Sequence, residues 1–138
     1  MTTKTIALVQ TQAETGGAQE VARQLAQGFE QRGYRVRQAA GGHEARRLIA
    51  AERPALVVSD LRMPEGDGWA LLDYCHLNVP DVPVILISGS DFGTYPQIES
   101  RAAAQIVKPF SPEQLLSEVE RNLPRAPARM LSQTGRAA

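Results

Sequence analysis

The most chemically specific stretch of this 138-residue chain is Asp60-Leu61-Arg62-Met63-Pro64-Glu65-Gly66-Asp67-Gly68. An acid closes an apolar, β-branched run, and a Pro/Gly-rich loop carries the chain from it into a helical pattern at Trp69. A carboxylate at that point is expected to stand exposed at the mouth of a sheet, where it can attack phosphorus and form an acyl phosphate. Proline and glycine in the loop let backbone groups approach such a phosphate. The plainer role, capping the next helix, suits Asp67 better, because it stands immediately before Gly68-Trp69. Other reactive side chains offer less. Cys75 is the sole cysteine, cannot form an internal disulfide and reads as a packed thiol. His43 and His76 fall in helical segments with no serine or cysteine partner at recognisable spacing, and read as solvent-facing. No Cys/His cluster has zinc-ligand spacing.

The elements that must position Asp60 are legible as an alternation. TIALV (5–9), YRVRQ (34–38), ALVVS (55–59), PVILIS (83–88) and QIVK (105–108) read as strands. Between them Val21, Leu25 and Phe29 recur every four residues, Ala45, Leu48 and Ile49 form a second helical stripe, and Leu71, Leu72 and Cys75 a third. The last helix is marked by Ser111 as N-cap, Pro112 as its first residue and Gln114 completing a capping box, and it should stop before Pro124. ALVVS and PVILIS are apolar on both faces, as central strands of a helix-covered parallel sheet are. The expected architecture is a doubly wound, five-stranded parallel α/β sheet, (βα)5, whose crevice lies at the carboxyl ends of the strands. Residues 4–123 are expected to form one domain and 124–138 a frayed tail. No internal repeat is visible, and no second, output domain is expected within these residues.

Asp60, Met63, Pro64, Asp67 and Gly68 match D-x-x-M-P-x-x-D-G, and on this motif the chain resembles the receiver domains of two-component response regulators, a flavodoxin-like fold. Two further marks agree: Ser88 in ILISGS matches the Ser or Thr ending the family's fourth strand, and Lys108-Pro109-Phe110 matches its Lys-Pro-Phe after the fifth. The resemblance implies that Asp60 accepts a phosphoryl group, Ser88 donates a hydroxyl to a phosphoryl oxygen, Lys108 pairs with the phosphoryl group or the Asp60 carboxylate, and the peptide before Pro109 is cis. Each role is chemically reasonable, since an ammonium is a point charge for phosphate and cis bonds occur almost only before proline.

The family also places two adjacent acids after the first strand, which with the phosphoacceptor hold Mg2+. Here those positions read Gln10-Thr11. Magnesium demands hard, anionic oxygen ligands, so binding should be severely weakened, and phosphotransfer with it. The implied metal set is Asp60 and the backbone carbonyl of Arg62. Glu14, in a first loop longer than usual, is the one nearby acid that could supply a second carboxylate, and the Arg62 guanidinium is an alternative stand-in for the missing cation. Gln105 stands where the family usually carries Tyr or Phe, with Tyr95 as an alternative ring, and Gly93 and Pro96 interrupt the fourth helix. Without the acids, Asp60 and Lys108 could form a stable ion pair, so two mechanisms stay open: phosphorylation of Asp60, or a pseudo-receiver that binds its partner without phosphate.

Two other classes compete. Thr15-Gly16-Gly17-Ala18-Gln19-Glu20-Val21-Ala22 is similar to the flavodoxin phosphate loop, T-G-N-T-E-x-V-A, and would imply FMN. Against it, Ala13 and Ala18 replace hydroxyl-bearing residues, Glu14 repels phosphate, and flavin-stacking aromatics are missing from later loops. A haloacid-dehalogenase-like phosphatase would need a second acid where Arg62 stands. Fifteen basic against fifteen acidic residues leave no net charge, so no basic footprint for nucleic acid appears. MTTKTIALVQ lacks the build of a signal peptide, and no apolar run reaches membrane-spanning length. The expectation is a cytoplasmic, non-enzymatic signalling module, monomer or weak homodimer, with no nucleic-acid or membrane partner. It is expected to be served by a histidine kinase or phosphotransfer protein and to bind a downstream protein through the face of the fourth helix, fifth strand and fifth helix.

Overall fold

Five parallel strands make one sheet in the order β2-β1-β3-β4-β5. They are β1 (Thr5–Val9), β2 (Arg35–Ala39), β3 (Leu56–Asp60), β4 (Val84–Ser88) and β5 (Ala104–Val107). Four helices are described: α1 (Gly17–Gln31), α2 (Gly42–Ala51), α3 (Gly68–Asn78) and a last one, here α4 (Pro112–Asn122). The structure is a computed structural model and describes residues 4–9, 17–61, 68–88, 102–107 and 111–123, with only the backbone described at 17–22 and 88. The expected crossover helix between β4 and β5, with Gly93, Tyr95 and Pro96, lies outside the described residues, as does the tail 124–138.

The period of two along each strand divides the core into two layers. Ile6, Leu8, Leu56, Val58, Ile85, Ile87 and Ile106 pack with Leu25 and Phe29 of α1 and Leu115 and Val119 of α4. On the other face Ala7, Val9, Val57, Val84 and Leu86 pack with Ala45 and Ile49 of α2 and Leu71, Leu72 and Cys75 of α3. All five residues of β1 and of β3 are buried, as expected of strands covered on both faces. Each large apolar side chain fully removed from water contributes about 1.5–3 kcal/mol, so these layers supply most of what offsets chain entropy.

Local chemistry sets the boundaries. At the end of α1, Gly33 adopts φ 90°, and the Gly33 and Tyr34 amides donate to the Glu30 and Phe29 carbonyls, both at 3.0 Å. This is a Schellman closure, with glycine at the left-handed position. It takes the Tyr34 amide, so β2 starts at Arg35 rather than at the expected residue 34. At α4 the expected cap is present: Ser111 Oγ accepts from the Gln114 amide at 3.1 Å, with Pro112 opening the helix. His43 and His76 are exposed, as expected.

The junction of β3 and α3 is the tightest. The Gly68 amide donates to the Leu61 carbonyl at 2.6 Å, and a Cβ added at Gly68 would lie 2.4 Å from the Asp60 carbonyl oxygen and 2.8 Å from Leu61 Cα. Only glycine lets the helix start against the strand end. At the opposite end of the sheet Thr5 Oγ1 donates to Glu52 Oε2 at 2.7 Å, Arg35 reaches the same oxygen at 3.1 Å, and Arg37 reaches Oε1 at 3.4 Å. The Thr5 hydrogen bond first, then the two guanidinium groups, hold the Glu52 carboxyl below its ordinary value.

Gly68→Ala should destabilise the fold by about 1–3 kcal/mol or more in urea unfolding, because backbone rather than a pliable side chain stands in the way. Gly33→Ala, with open space around it but φ 90°, should lose only the conformational part, about 1–2 kcal/mol. A Gly68→Ala variant as stable as the parent would refute the contact. Burial raises the Cys75 thiol to about 11. In the unfolded chain a thiol ionises near about 8.5, so the unfolded state loses its proton first and stability should fall as pH rises from that value towards 11, with no dependence from this group below it. Thiol labelling checks the same burial: at pH near 7 the folded protein should resist an aromatic disulfide reagent that reacts at once in denaturant.

Candidate functional site

Asp60 is the last residue of β3 and pairs in register with Ile87 of β4. The ladder runs one bond further, the Leu61 amide donating to the Ile87 carbonyl at 2.8 Å. Ser59 Oγ donates to the Asp60 carbonyl at 2.8 Å, so the backbone at the acid is held from its own strand, from β4 and by the start of α3. Ser88 is the last residue of β4 and pairs with Val107, the last of β5. The carboxyl ends of three adjacent strands therefore carry Asp60, Ser88 and Val107, with Ser88 one step beyond the partner of Asp60. Lys108 follows Val107 directly in the chain and lies outside the described residues.

On the other side of β3, Val9 ends β1 opposite Ser59. Gln10 and Thr11 follow it; they, Glu14, Arg62 and Asp67 all lie outside the described residues. The strand order reverses between β1 and β3, so Asp60 borders the switch point where doubly wound sheets hold their ligands.

One expectation is corrected. Asp60 was expected exposed at the sheet's mouth, and it is 2% exposed. It closes a strand buried along its whole length, beside the all-but-buried Ile87, with α3 seated on its backbone through Gly68. A carboxylate so deep keeps its charge only beside hydrogen-bond donors or a cation.

By residue type, the sequence offers magnesium a poorer donor set than paired acids would. That ion wants several oxygen ligands, carboxylates among them, in octahedral order. Among the described residues no group of three or more His, Cys, Asp or Glu could hold a metal, and the two positions after β1 carry a neutral amide and a hydroxyl. Sequence reasoning listed Gly68 as part of a motif but missed its steric role. The signal was available in principle, as a glycine opening a helix eight residues after a strand-ending acid.

The family model of the response regulator receiver domain matches residues 18–120. A probable transcriptional regulator ycf27 of Cyanophora paradoxa is 35% identical over 104 residues, 74% of this chain and 43% of that protein. The chain thus spans less than half the length of the curated relatives it matches. Because they are named as transcriptional regulators, they lend no support to the expected lack of a nucleic-acid partner. Among solved structures, the receiver domain of NtrX from Brucella abortus superposes with a TM-score of 0.74 at 28% identity, covering 88% of this chain and 99% of that one. TrrA of Thermotoga maritima, solved in complex with Mg(2+)-BeF, gives 0.72 at 22% identity over 87% and 99%, a likeness of fold alone. No helix among the described residues is long and apolar enough to cross a membrane. Sheet order, strand-end residues and family match agree: the chain belongs to the response-regulator receiver-domain family.

Proposed function

We propose that residues 4–123 work as a receiver unit of a two-component phosphorelay, accepting a phosphoryl group on Asp60 and signalling through protein contacts rather than turnover. The observation that carries this is the register of β3, β4 and β5, which aligns Asp60, Ser88 and the residue before Lys108 at one edge of the sheet. In this reading a carboxylate oxygen of Asp60 attacks phosphorus, and the bond to the donor's leaving group breaks with its electron pair going to that group. The Ser88 hydroxyl donates to a phosphoryl oxygen and the Lys108 ammonium balances its charge. The donor is a histidine kinase or phosphotransfer protein. The output is a protein partner meeting β5, α4 and the crossover between β4 and β5.

A second reading is favoured by two particular observations, the neutral Gln10-Thr11 pair and the 2% exposure of Asp60. In it the chain is a pseudo-receiver, with Asp60 and Lys108 paired as structure and partner binding independent of phosphate.

Intact-mass spectrometry after incubation with acetyl phosphate, with and without magnesium, separates the two. A phosphoryl adduct that needs magnesium and disappears in Asp60→Asn is the result expected of a working receiver. No adduct, together with a lower melting temperature for Lys108→Ala, establishes the pseudo-receiver. An adduct that persists in Asp60→Asn removes Asp60 as the acceptor.

A further inference from the structure

The end of the sheet remote from Asp60 holds a cleft of about 260 Å³ between α2 and the edge formed by β1 and β2. It is lined by the apolar Ala7, Leu48, Ile49, Ala51 and Pro54 and by Thr5, Arg37 and Glu52. Thr5, Ala7, Ile49 and Pro54 are buried at its base, while Leu48, Ala51, Arg37 and Glu52 reach solvent. The volume is just under the range of about 300–1,000 Å³ usual for small-molecule sites, so it suits a ligand of one ring rather than a nucleotide.

The charges at the cleft are unevenly shared. Arg37 and Glu52 line it, and Arg35, beside it, takes the same Glu52 carboxylate, so the three-residue cluster carries one net positive charge. Glu52 Oε2 is saturated by Thr5 at 2.7 Å and Arg35 at 3.1 Å. Arg37 makes only the long 3.4 Å contact to Oε1, and its side chain is 47% exposed. A guanidinium has five N–H donors, and Arg37 spends one of them on Glu52. Its planar fork is matched by a carboxylate, which it can grip through two parallel hydrogen bonds. Apolar lining and exposed guanidinium together specify the chemistry.

We propose that this cleft is a second binding site, for a small monocarboxylate with an apolar ring, its carboxylate on Arg37 and its ring against Leu48 and Ala51. The site is independent of the phosphoacceptor. It lies at the start of β1, about 13 Å along the strand from Val9 at roughly 3.3 Å per residue. Neither reading of Asp60 is needed for it.

The test is a titration of the isotopically labelled 138-residue protein with benzoate, followed by amide chemical shifts, with benzyl alcohol as the uncharged ring of similar size. Benzoate should move the amides of Thr5, Ala7, Leu48 and Ile49 saturably, with a Kd of about 1–10 mM for so small a ligand. Arg37→Gln should weaken it about fivefold or more, and Ala51→Leu, which fills the cleft from its lining, should abolish it with the rest of the spectrum unchanged. Equal binding of benzyl alcohol and benzoate would reduce the cleft to an unselective apolar gap and overturn the proposal. So would benzoate shifts that never saturate, or affinity unchanged in Arg37→Gln. The acetyl phosphate experiment reads a different residue at the other end of the sheet, so failure of one claim leaves the other standing.

Discussion

The contact between the Gly68 backbone and the carbonyl of Asp60 is the constraint on which the site depends. The start of α3 lies so close to the strand end that a Cβ on Gly68 would collide with the Asp60 carbonyl oxygen. The Gly68 amide on the Leu61 carbonyl ties the first residue of α3 directly to the residue that follows β3. The Leu61 amide is at the same time committed to Ile87. A strand end tied both to its neighbour and to the following helix is preorganised, which is what chemistry dependent on positioning requires. Side chains at the acid can vary while this backbone clasp cannot, because the obstacle is peptide rather than a pliable rotamer.

How much of this is visible in sequence differs by element, for reasons that can be named. The central strands are legible because β3 and β4 bury both faces and so appear as continuous apolar runs. β2 is harder: it is an edge strand in which Arg35, Arg37 and Gln38 are exposed, and its first residue is decided by the Schellman closure of α1, which withdraws Tyr34 from the ladder. α3 was placed correctly from Leu71, Leu72 and Cys75, although its remaining faces also carry Trp69, Tyr74 and Leu77, the last 79% exposed. Three buried positions at helical spacing outweighed the apolar residues around them.

The site was half legible. The spacing from Asp60 to Gly68 points to the acid and to the helix after it, whereas burial is a property of the assembled sheet. Nothing in the local sequence says that Asp60 would be 2% exposed, since burial depends on what the fold brings alongside from distant parts of the chain, as β4 is brought beside β3. The Thr5-Glu52-Arg35-Arg37 cluster is hidden for the same reason: Glu52 meets Thr5 across 47 positions and Arg35 across 17. Charges that look scattered along the chain become one network only when β1, β2 and the end of α2 converge.

Burial changes what the Gln10-Thr11 substitution means. In a wet, exposed pocket, losing two acids removes a metal and little else. Around a buried carboxylate the balance of charge is stricter, because each unpaired charge in a poorly solvated place costs several kcal/mol. A receiver with two further acids needs a cation to balance them; a sequence with Gln10 and Thr11 at those positions leaves Asp60 as the one carboxylate of that set, which a single ammonium would neutralise. The same substitution that weakens the case for magnesium therefore strengthens the case for Lys108 as the partner of Asp60. Phosphorylation would replace one negative charge at that spot with nearly two, which the lone ammonium could not fully balance. In the pseudo-receiver reading, an Asp60–Lys108 pair would stabilise the unmodified state and by the same amount oppose the modified one.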